Sequence, residues 1–177
     1  MSRWLAILKE SVAGEWENPP IIAALATVDS MSHPHVRHVV CRRIDSDGTI
    51  WIASDARMAK NQHVRENPNV ELSLWVPQKR QQFRIAGTIS IDPRREELWQ
   101  ALSDATRATF FWPPPGEPFN STQPFAVAVS ASVDPPANFE VLVLTPGQVE
   151  HLELSAHPHR RRRWKRSSNW AVEELNP

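Results

Sequence analysis

The stretch from Ile22 to Lys60 decides how the rest of this chain folds: IAALATVD, SMSHP, HVRHVVCRR, IDSDG and TIWIASDARMAK. Three apolar runs alternate here with two polar breaks that contain Ser, Asp, Pro and Gly. Short apolar runs bounded by such residues predict strands joined by turns. We therefore predict an antiparallel meander with strands at residues 21–28, 36–44 and 49–54.

The same stretch carries four cations in or near its predicted strands: Arg37, Arg42, Arg57 and Lys60. Cations held on a rigid sheet, with the Ser54 hydroxyl and backbone amides nearby, suit a phosphate group. A helix predicted over residues 56–66 would begin beside Asp55 and present free N–H groups to an anion, with Ser54 or Asp55 as its N-cap. Strand alternation places Arg37 and Arg42 on opposite faces unless a bulge intervenes.

The rest of the chain continues the pattern of short elements. Helices are predicted at 2–16 and 94–105, and strands at 70–76, 81–91, 124–133, 139–145, 149–154, 160–165 and 170–175. Pro19 and Pro20 would end the first helix, and Pro146-Gly147 would form a turn. Residues 106–124 are too rich in proline for regular structure, and a loop of this length with Phe110, Phe111 and Trp112 is typical of a functional or covering segment. About eight strands with hairpin-length connections favour a mainly β, antiparallel barrel over a parallel sheet.

Composition narrows the class of protein. With 177 residues, 41% of them apolar and 23% charged, the chain fits one globular domain spanning residues 1–177. The lone Cys41 cannot form an internal disulfide and is expected to be a small buried residue. No signal-peptide layout and no apolar run of about 20 residues is present, so we expect a cytoplasmic protein away from membranes. The seven His form no metal-binding motif, and we predict no metal.

The segment HPHRRRRWKR at 157–166 holds six of the twenty Lys and Arg and no acid, which leaves the remainder of the chain acidic. Such a local patch favours an anion site over a general nucleic-acid surface. On a strand, Arg161 and Arg163 would share one face and Arg160 and Arg162 the other. One pair would then hold a phosphate or carboxylate; a solvated edge and a nucleic-acid arm are the alternatives.

A family resemblance follows from the order of these features. The pattern Arg37-His38-Val39-Val40-Cys41-Arg42, followed by an apolar strand and then Ser54, Arg57 and Lys60, resembles the FMN-binding half of the pyridoxamine 5'-phosphate oxidase family. More narrowly, it is similar to the oxidase-related, FMN-binding split-barrel subfamily. The resemblance continues through Gln82, five residues before a glycine, and through Pro135-Pro136, the arginine run and the final W-x(4)-L-x-P.

The resemblance implies a split β-barrel of six to eight antiparallel strands with two or three flanking helices, FMN as cofactor, and a homodimer with flavins in the interface. It assigns the FMN phosphate to Arg37, Arg57 and Lys60, and phosphate or ring contacts to Arg42 and Gln82. Arginines 160–163 would serve the substrate or the partner subunit's flavin. The predicted cofactor-binding residues are Arg37, His38, Val39, Arg42, Ser54, Asp55, Arg57, Lys60, Gln82 and Arg161.

Two departures limit what the resemblance implies about the substrate. The oxidases' Y-x-x-x-R-P-x-x-S-Q segment, which holds the substrate phosphate, is replaced here by residues 107–116, and Glu174 stands where the family has a terminal arginine. We therefore expect an FMN-binding oxidoreductase acting on a small amine or other small substrate, without assigning pyridoxamine phosphate to it. A flavin carrier or sensor without turnover is the main alternative, and a nucleic-acid-binding barrel the lesser one.

Overall fold

The computed structural model describes residues 2–13 and 21–177. Its strands are β1 Ile21–Val28, β2 Pro34–Ile44, β3 Ile50–Asp55, β4 Asn69–Val76, β5 Gln81–Asp92, β6 Phe139–Glu153, β7 Arg160–Lys165 and β8 Val172–Leu175. Its helices are α1 Arg3–Val12, α2 Ala59–Glu66, α3 Arg95–Ala101 and α4 Asp104–Ala108, with short 3₁₀ turns at Thr109–Phe111 and Arg166–Ser168.

The eight strands form one antiparallel sheet in the order β3-β2-β1-β4-β5-β6-β7-β8, and β3 also pairs with β6. The first six strands of that order therefore close into a barrel, while β7 and β8 extend it on one side. The predicted mainly β, split-barrel fold is confirmed. The described residues contain four α-helices instead of the two or three expected.

The barrel interior is filled from its strands and from α1. The apolar positions of α1 recur every three or four residues, so Trp4, Leu5 and Leu8 share one face, and all three are buried in the main core. Cys41 is also buried there, as expected, and burial raises the pKa of its thiol to about 12. The predicted end of this helix at Pro19 and Pro20 lies outside the described residues.

The turn predicted at Pro146-Gly147 is wrong, because β6 runs through it. Gly87 opposes Pro146, and the β5–β6 register shifts between Ala86 and Gly87. Proline lacks the N–H that a regular ladder needs, so it is tolerated at such an irregular point. A Cβ on Gly87 would lie 2.2 Å from the Thr145 carbonyl oxygen, which requires glycine at this close approach. One long strand thus replaces the two predicted at 139–145 and 149–154.

The segment between β5 and β6 also differs from the prediction. The helix expected at 94–105 is divided into α3 and α4, and the strand expected at 124–133 is wrong: those residues form turns, a bend and irregular backbone. Side chains from the helices satisfy carbonyls that a sheet would have paired. Trp99 donates to the Val133 carbonyl, Gln100 to that of Ala131, and the buried Arg107 to that of Val129. The segment is therefore held against the helices and does not join the sheet.

Within residues 2–13 and 21–177, no helix is long and apolar enough to cross a membrane. The same residues contain no group of three or more His, Cys, Asp or Glu side chains suited to a metal ion. The cytoplasmic location and the single-domain organisation stay predictions.

Candidate cofactor site

A cavity of about 630 Å³ lies between the barrel and the segment that joins β5 to β6. From β2, β3, the turn after β3 and the start of α2 it is lined by Arg37, His38, Val39, Val40, Arg42, Ala53, Ser54, Asp55, Met58 and Lys60. From the other side it is lined by Thr106, Thr109, Phe110 and residues of the 112–125 segment. Seven of the ten predicted cofactor-binding residues thus border one cavity, although they are spread over 24 positions of sequence from 37 to 60.

A bulge in β2 explains how Arg37 and Arg42 reach the same cavity. The pairing of β2 with β3 shifts register between Cys41 and Arg43, which leaves Arg42 at the irregular position. An extra residue in one strand changes the face to which the following side chains point. The bulge that would allow Arg37 and Arg42 to reach one site is therefore present next to Arg42.

Three cations in this cavity have few or no anionic partners. Arg42 is half-buried, its Nε finds no hydrogen-bond acceptor within the described residues, and burial lowers its pKa. Lys60 is only 9% exposed, and its ammonium contacts the Met58 sulfur and forms no ion pair in the described part of the chain. Burial, together with the charge of Arg37, lowers the pKa of Lys60 to about 8. Desolvated cations that lack partners fit a site for a bound anion such as a phosphate.

The third cation, Arg37, is held in place by its neighbours on β1. Its Nη1 donates to the Leu25 carbonyl at 3.1 Å and to the Thr27 hydroxyl at 2.7 Å. Thr27 is buried, and its Oγ1 lies 3.0 Å from His63 Nδ1 on α2. The hydroxyl accepts from Arg37 and can donate its own proton to His63. This arrangement fixes the guanidinium without neutralising its charge, since no partner is an acid.

The turn between β3 and α2 differs from the predicted helix start. The helix begins at Ala59, four residues after Asp55, and its N-cap residue Met58 makes no side-chain cap. The Asp55 carboxylate accepts instead from the Arg57 backbone N–H and guanidinium, and from Asn138. The predicted capping role of Ser54 or Asp55 is therefore wrong, because both side chains have other partners: Ser54 donates to Asn61.

Arg57 lies beside the cavity and does not line it. Its guanidinium forms an ion pair with Asp55 at 2.6 Å and donates to the Trp112 carbonyl at 3.1 Å. These contacts connect the turn after β3 to the start of the 112–138 segment. A phosphate role for Arg57 would compete with the Asp55 carboxylate, which already holds its guanidinium.

Comparisons with known proteins identify the family. A family model described as "Pyridoxamine 5'-phosphate oxidase, FMN-binding domain" matches residues 1–92, just over half of the chain. The chain is also 30% identical, over 145 residues, to a pyridoxine/pyridoxamine 5'-phosphate oxidase 2 of Arabidopsis thaliana, covering 75% of this chain and 73% of that protein. The chain belongs to the pyridoxamine 5'-phosphate oxidase family. FMN, the cofactor predicted from the sequence, is the cofactor of the matched domain.

Solved structures agree with this assignment. A pyridoxamine 5'-phosphate oxidase-related, FMN binding protein from Nostoc punctiforme is 30% identical, with a TM-score of 0.91 over 100% of this chain and 99% of that chain. PhzG from Burkholderia lata is 21% identical, with a TM-score of 0.78 over 99% of this chain and 89% of that chain, and supports the fold alone.

Two of the residues predicted to bind the cofactor, Gln82 and Arg161, lie outside the larger cavity. Gln82 and Arg161 line a second, small cavity of about 110 Å³ together with Arg84, Glu150 and Leu152. They come together because Gln82 pairs with Leu152, which pairs with Arg161, across β5, β6 and β7. Arg161 donates to Glu150 at 2.6 Å. Within one copy of the chain, these residues do not border the larger cavity.

Of the aromatic wall of the larger cavity, the sequence analysis named Trp112 but not Phe119 or Phe125. Trp112 and Phe125 pack edge to face at 5.4 Å, and Phe125 and Phe119 stack at 6.0 Å. Glu117 lies in the same wall. The only sequence signal was the length and aromatic content of the proline-rich loop, which indicated a functional or covering segment without naming its ligand.

Proposed function

We propose that this member of the pyridoxamine 5'-phosphate oxidase family is an FMN-dependent oxidoreductase that acts on a small molecule at a flavin held between two copies of the chain. The observation that carries the proposal is the group of three cations, Arg37, Arg42 and Lys60, in one cavity. Two of them are desolvated without an anionic partner in the described residues. Such a group is costly to fold unless an anion binds to it, and the FMN phosphate has the required charge.

Each residue of the cavity then has a role toward the cofactor. Arg37, Arg42 and Lys60 would hold the phosphate, and Thr27 would keep the Arg37 guanidinium oriented toward it. His38 and Val39 border the same cavity and would contact the cofactor beyond its phosphate. The bound flavin supplies the redox chemistry, while the protein positions it and excludes water.

The outer face of the sheet supports the dimer. Trp75, Gln82, Leu152 and Arg161 form one row of register partners across β4, β5, β6 and β7. Trp75 is 45% exposed, and Ile22 and Val36 on neighbouring strands are 48% and 71% exposed. Aromatic and arginine side chains are enriched in protein interfaces, and uncovered apolar side chains on one sheet face favour contact with a partner. A second copy seated on this face would bring its Gln82 and Arg161 toward the flavin.

A spectrum of the purified protein with added FMN, and after removal of unbound FMN, tests cofactor binding. Retained visible absorbance of flavin, lost in Arg42→Met but kept in the matched surface variant Arg94→Met, is the expected result. Sedimentation should then give twice the chain mass of 20.1 kDa. A protein that releases FMN, or a loaded protein of single-chain mass, would contradict the corresponding part of the proposal.

Turnover is tested on the loaded protein without oxygen. Bleaching of the flavin by a small amine or by a nicotinamide donor is expected for an oxidoreductase. If no member of an amine and NAD(P)H panel reduces the flavin, while dithionite does, the carrier or sensor alternative replaces the enzymatic one.

A further inference from the structure

The charges around the larger cavity balance with one phosphate. Arg37, Arg42 and Lys60 line it, and Arg57 lies beside it, whereas Asp55 and Glu117 are its carboxylates; the net charge of this set is therefore plus two. A phosphate monoester carries about 1.5 to 2 negative charges at neutral pH. This step rests on the proposed function, because it takes the FMN phosphate as the bound anion. Once that phosphate is bound, no unpaired cation of the set is left for a second anion.

The opposite wall of the cavity is aromatic, and its own side chains in the described residues include no cation; the Arg57 guanidinium reaches this wall at the Trp112 carbonyl. Trp112, Phe119 and Phe125 form a continuous aromatic cluster, and prolines 113–115 and 118 extend it. Phe119 is 79% exposed, which leaves a large apolar surface uncovered in the chain by itself. Flat aromatic groups pack well against such a wall. The charged group in this wall is Glu117, which is an acid.

The second cavity, which a partner copy would bring to the site, also has its positive charges paired with carboxylates. Arg84 contacts Glu71 and Glu150, and Arg161 contacts Glu150. Each arginine that lines this cavity is therefore paired with a carboxylate, and so is Arg163, which contacts Glu150 and Glu173. Among the described residues, the lining of this cavity brings no unpaired cation to a substrate.

We propose that the aromatic side of the cavity is a substrate subsite for a flat, apolar ring that carries no phosphate or carboxylate, and that Glu117 selects neutral or cationic rings over anionic ones. An anionic substituent would lie near Glu117 and lose its hydration without gaining a counterion, which costs binding free energy. A cationic ring gains from the same carboxylate and from the faces of Trp112 and Phe125. The subsite thereby differs from one built to hold a phosphorylated substrate.

The test uses the FMN-loaded protein and three probes that share one ring: quinoline, 1-methylquinolinium and quinoline-3-carboxylate. Titration calorimetry should show that the methylated cation binds at least as tightly as quinoline, and that the carboxylate binds at least tenfold more weakly. Glu117→Gln should remove the preference for the cation and bring the carboxylate within about threefold of quinoline. Glu96→Gln, an exposed glutamate on α3, should leave the order of the three probes unchanged.

FMN binding is measured separately for each protein, so that the two proposals fail in different ways. A wild-type protein that does not retain FMN would refute the proposed function. A loaded protein that binds the carboxylate as tightly as quinoline, or whose probe order is the same in Glu117→Gln, would refute the subsite. Pyridoxamine and its 5'-phosphate form a second pair, and tighter binding of the phosphate ester would also overturn the inference.

Discussion

Replacing Lys60 by methionine should stabilise the cofactor-free protein while weakening its affinity for FMN. Lys60 is 9% exposed, and burial lowers its pKa from 10.5 to about 8. A pKa lowered this far means that keeping the amine charged costs the folded state about 3 kcal/mol. Methionine has a similar length and no charge, so it should keep the packing and remove this cost. We expect the free energy of unfolding to rise by up to about 3 kcal/mol at pH 7, and the melting temperature by about 6–12 °C.

The gain should depend on pH in a defined direction. Because the folded-state pKa of Lys60 lies below its unfolded value, the folded protein releases the proton first as the pH rises. The wild-type protein therefore recovers stability between about pH 8 and pH 10.5, and the advantage of Lys60→Met shrinks over the same interval. Bound FMN should offset about half to all of the variant's advantage, because its phosphate pairs with the wild-type ammonium, and that charged hydrogen bond is worth about 1.5–3 kcal/mol.

Urea unfolding of the FMN-free proteins at pH 7 and at pH 10 measures both effects, and fluorescence titration gives the FMN affinity. Lys165→Met on β7 is the matched control, since it removes a lysine outside the cavity. A Lys60→Met protein that is no more stable than the wild type at pH 7, or whose gain is the same at both pH values, would refute the reasoning.

Three further substitutions test other parts of the structure. Thr27→Val should weaken FMN binding about tenfold and leave riboflavin binding unchanged, because only the phosphate depends on the orientation of Arg37. Thr27→Ser keeps the hydroxyl and should restore FMN binding. An equal loss of riboflavin affinity in Thr27→Val would contradict this reasoning. Gly87→Ala should lower the free energy of unfolding by about 2–3 kcal/mol, since its Cβ would meet the Thr145 carbonyl oxygen, and an unchanged urea midpoint would contradict it. Arg107→Met should lower the free energy of unfolding by about 3 kcal/mol, because Arg107 donates to the Val129 carbonyl. Amide hydrogen exchange should rise mainly in residues 112–138, and an equal rise in the barrel strands would contradict this role.

The barrel could be predicted from the sequence because its signals are local. The strands at 21–28 and 81–92 show alternation or apolar runs bounded by turn residues, and the structure places them within one residue of the prediction. Strand β1 pairs with β2, and β4 with β5, across short connections. The cations Arg37, Arg42 and Lys60 were predicted from the same local stretch, and the family resemblance added His38 and Val39; all five line one cavity.

The parts that the sequence did not predict depend on distant partners. Val127 and Val129 alternate with alanine and serine as in a strand, but donors from the helices, such as Trp99 and Arg107, take the carbonyls of their segment. The pairing of Asp55 with Arg57 is local, but it too was missed, because spacing along the chain does not reveal which side-chain conformation forms. Whether Arg57, Gln82 and Arg161 touch the cofactor stays a proposal.

Residues 93–138, which join β5 to β6, leave and re-enter the barrel at nearly the same place. Residues 93–138 depart after Asp92 and return at Phe139, and Asp92 is the register partner of Val141 on the adjacent strand. The segment therefore begins and ends at neighbouring points of the sheet, as an insertion between two paired strands does. Trp99 and Phe110 of the segment pack in one apolar cluster with Trp51 of the barrel, so a changed segment has to keep that contact. A change in residues 112–125 would then reshape the aromatic wall of the cavity while Arg37, Arg42 and Lys60 stay in place on β2 and α2, and we expect it to change which small molecules the cavity accepts.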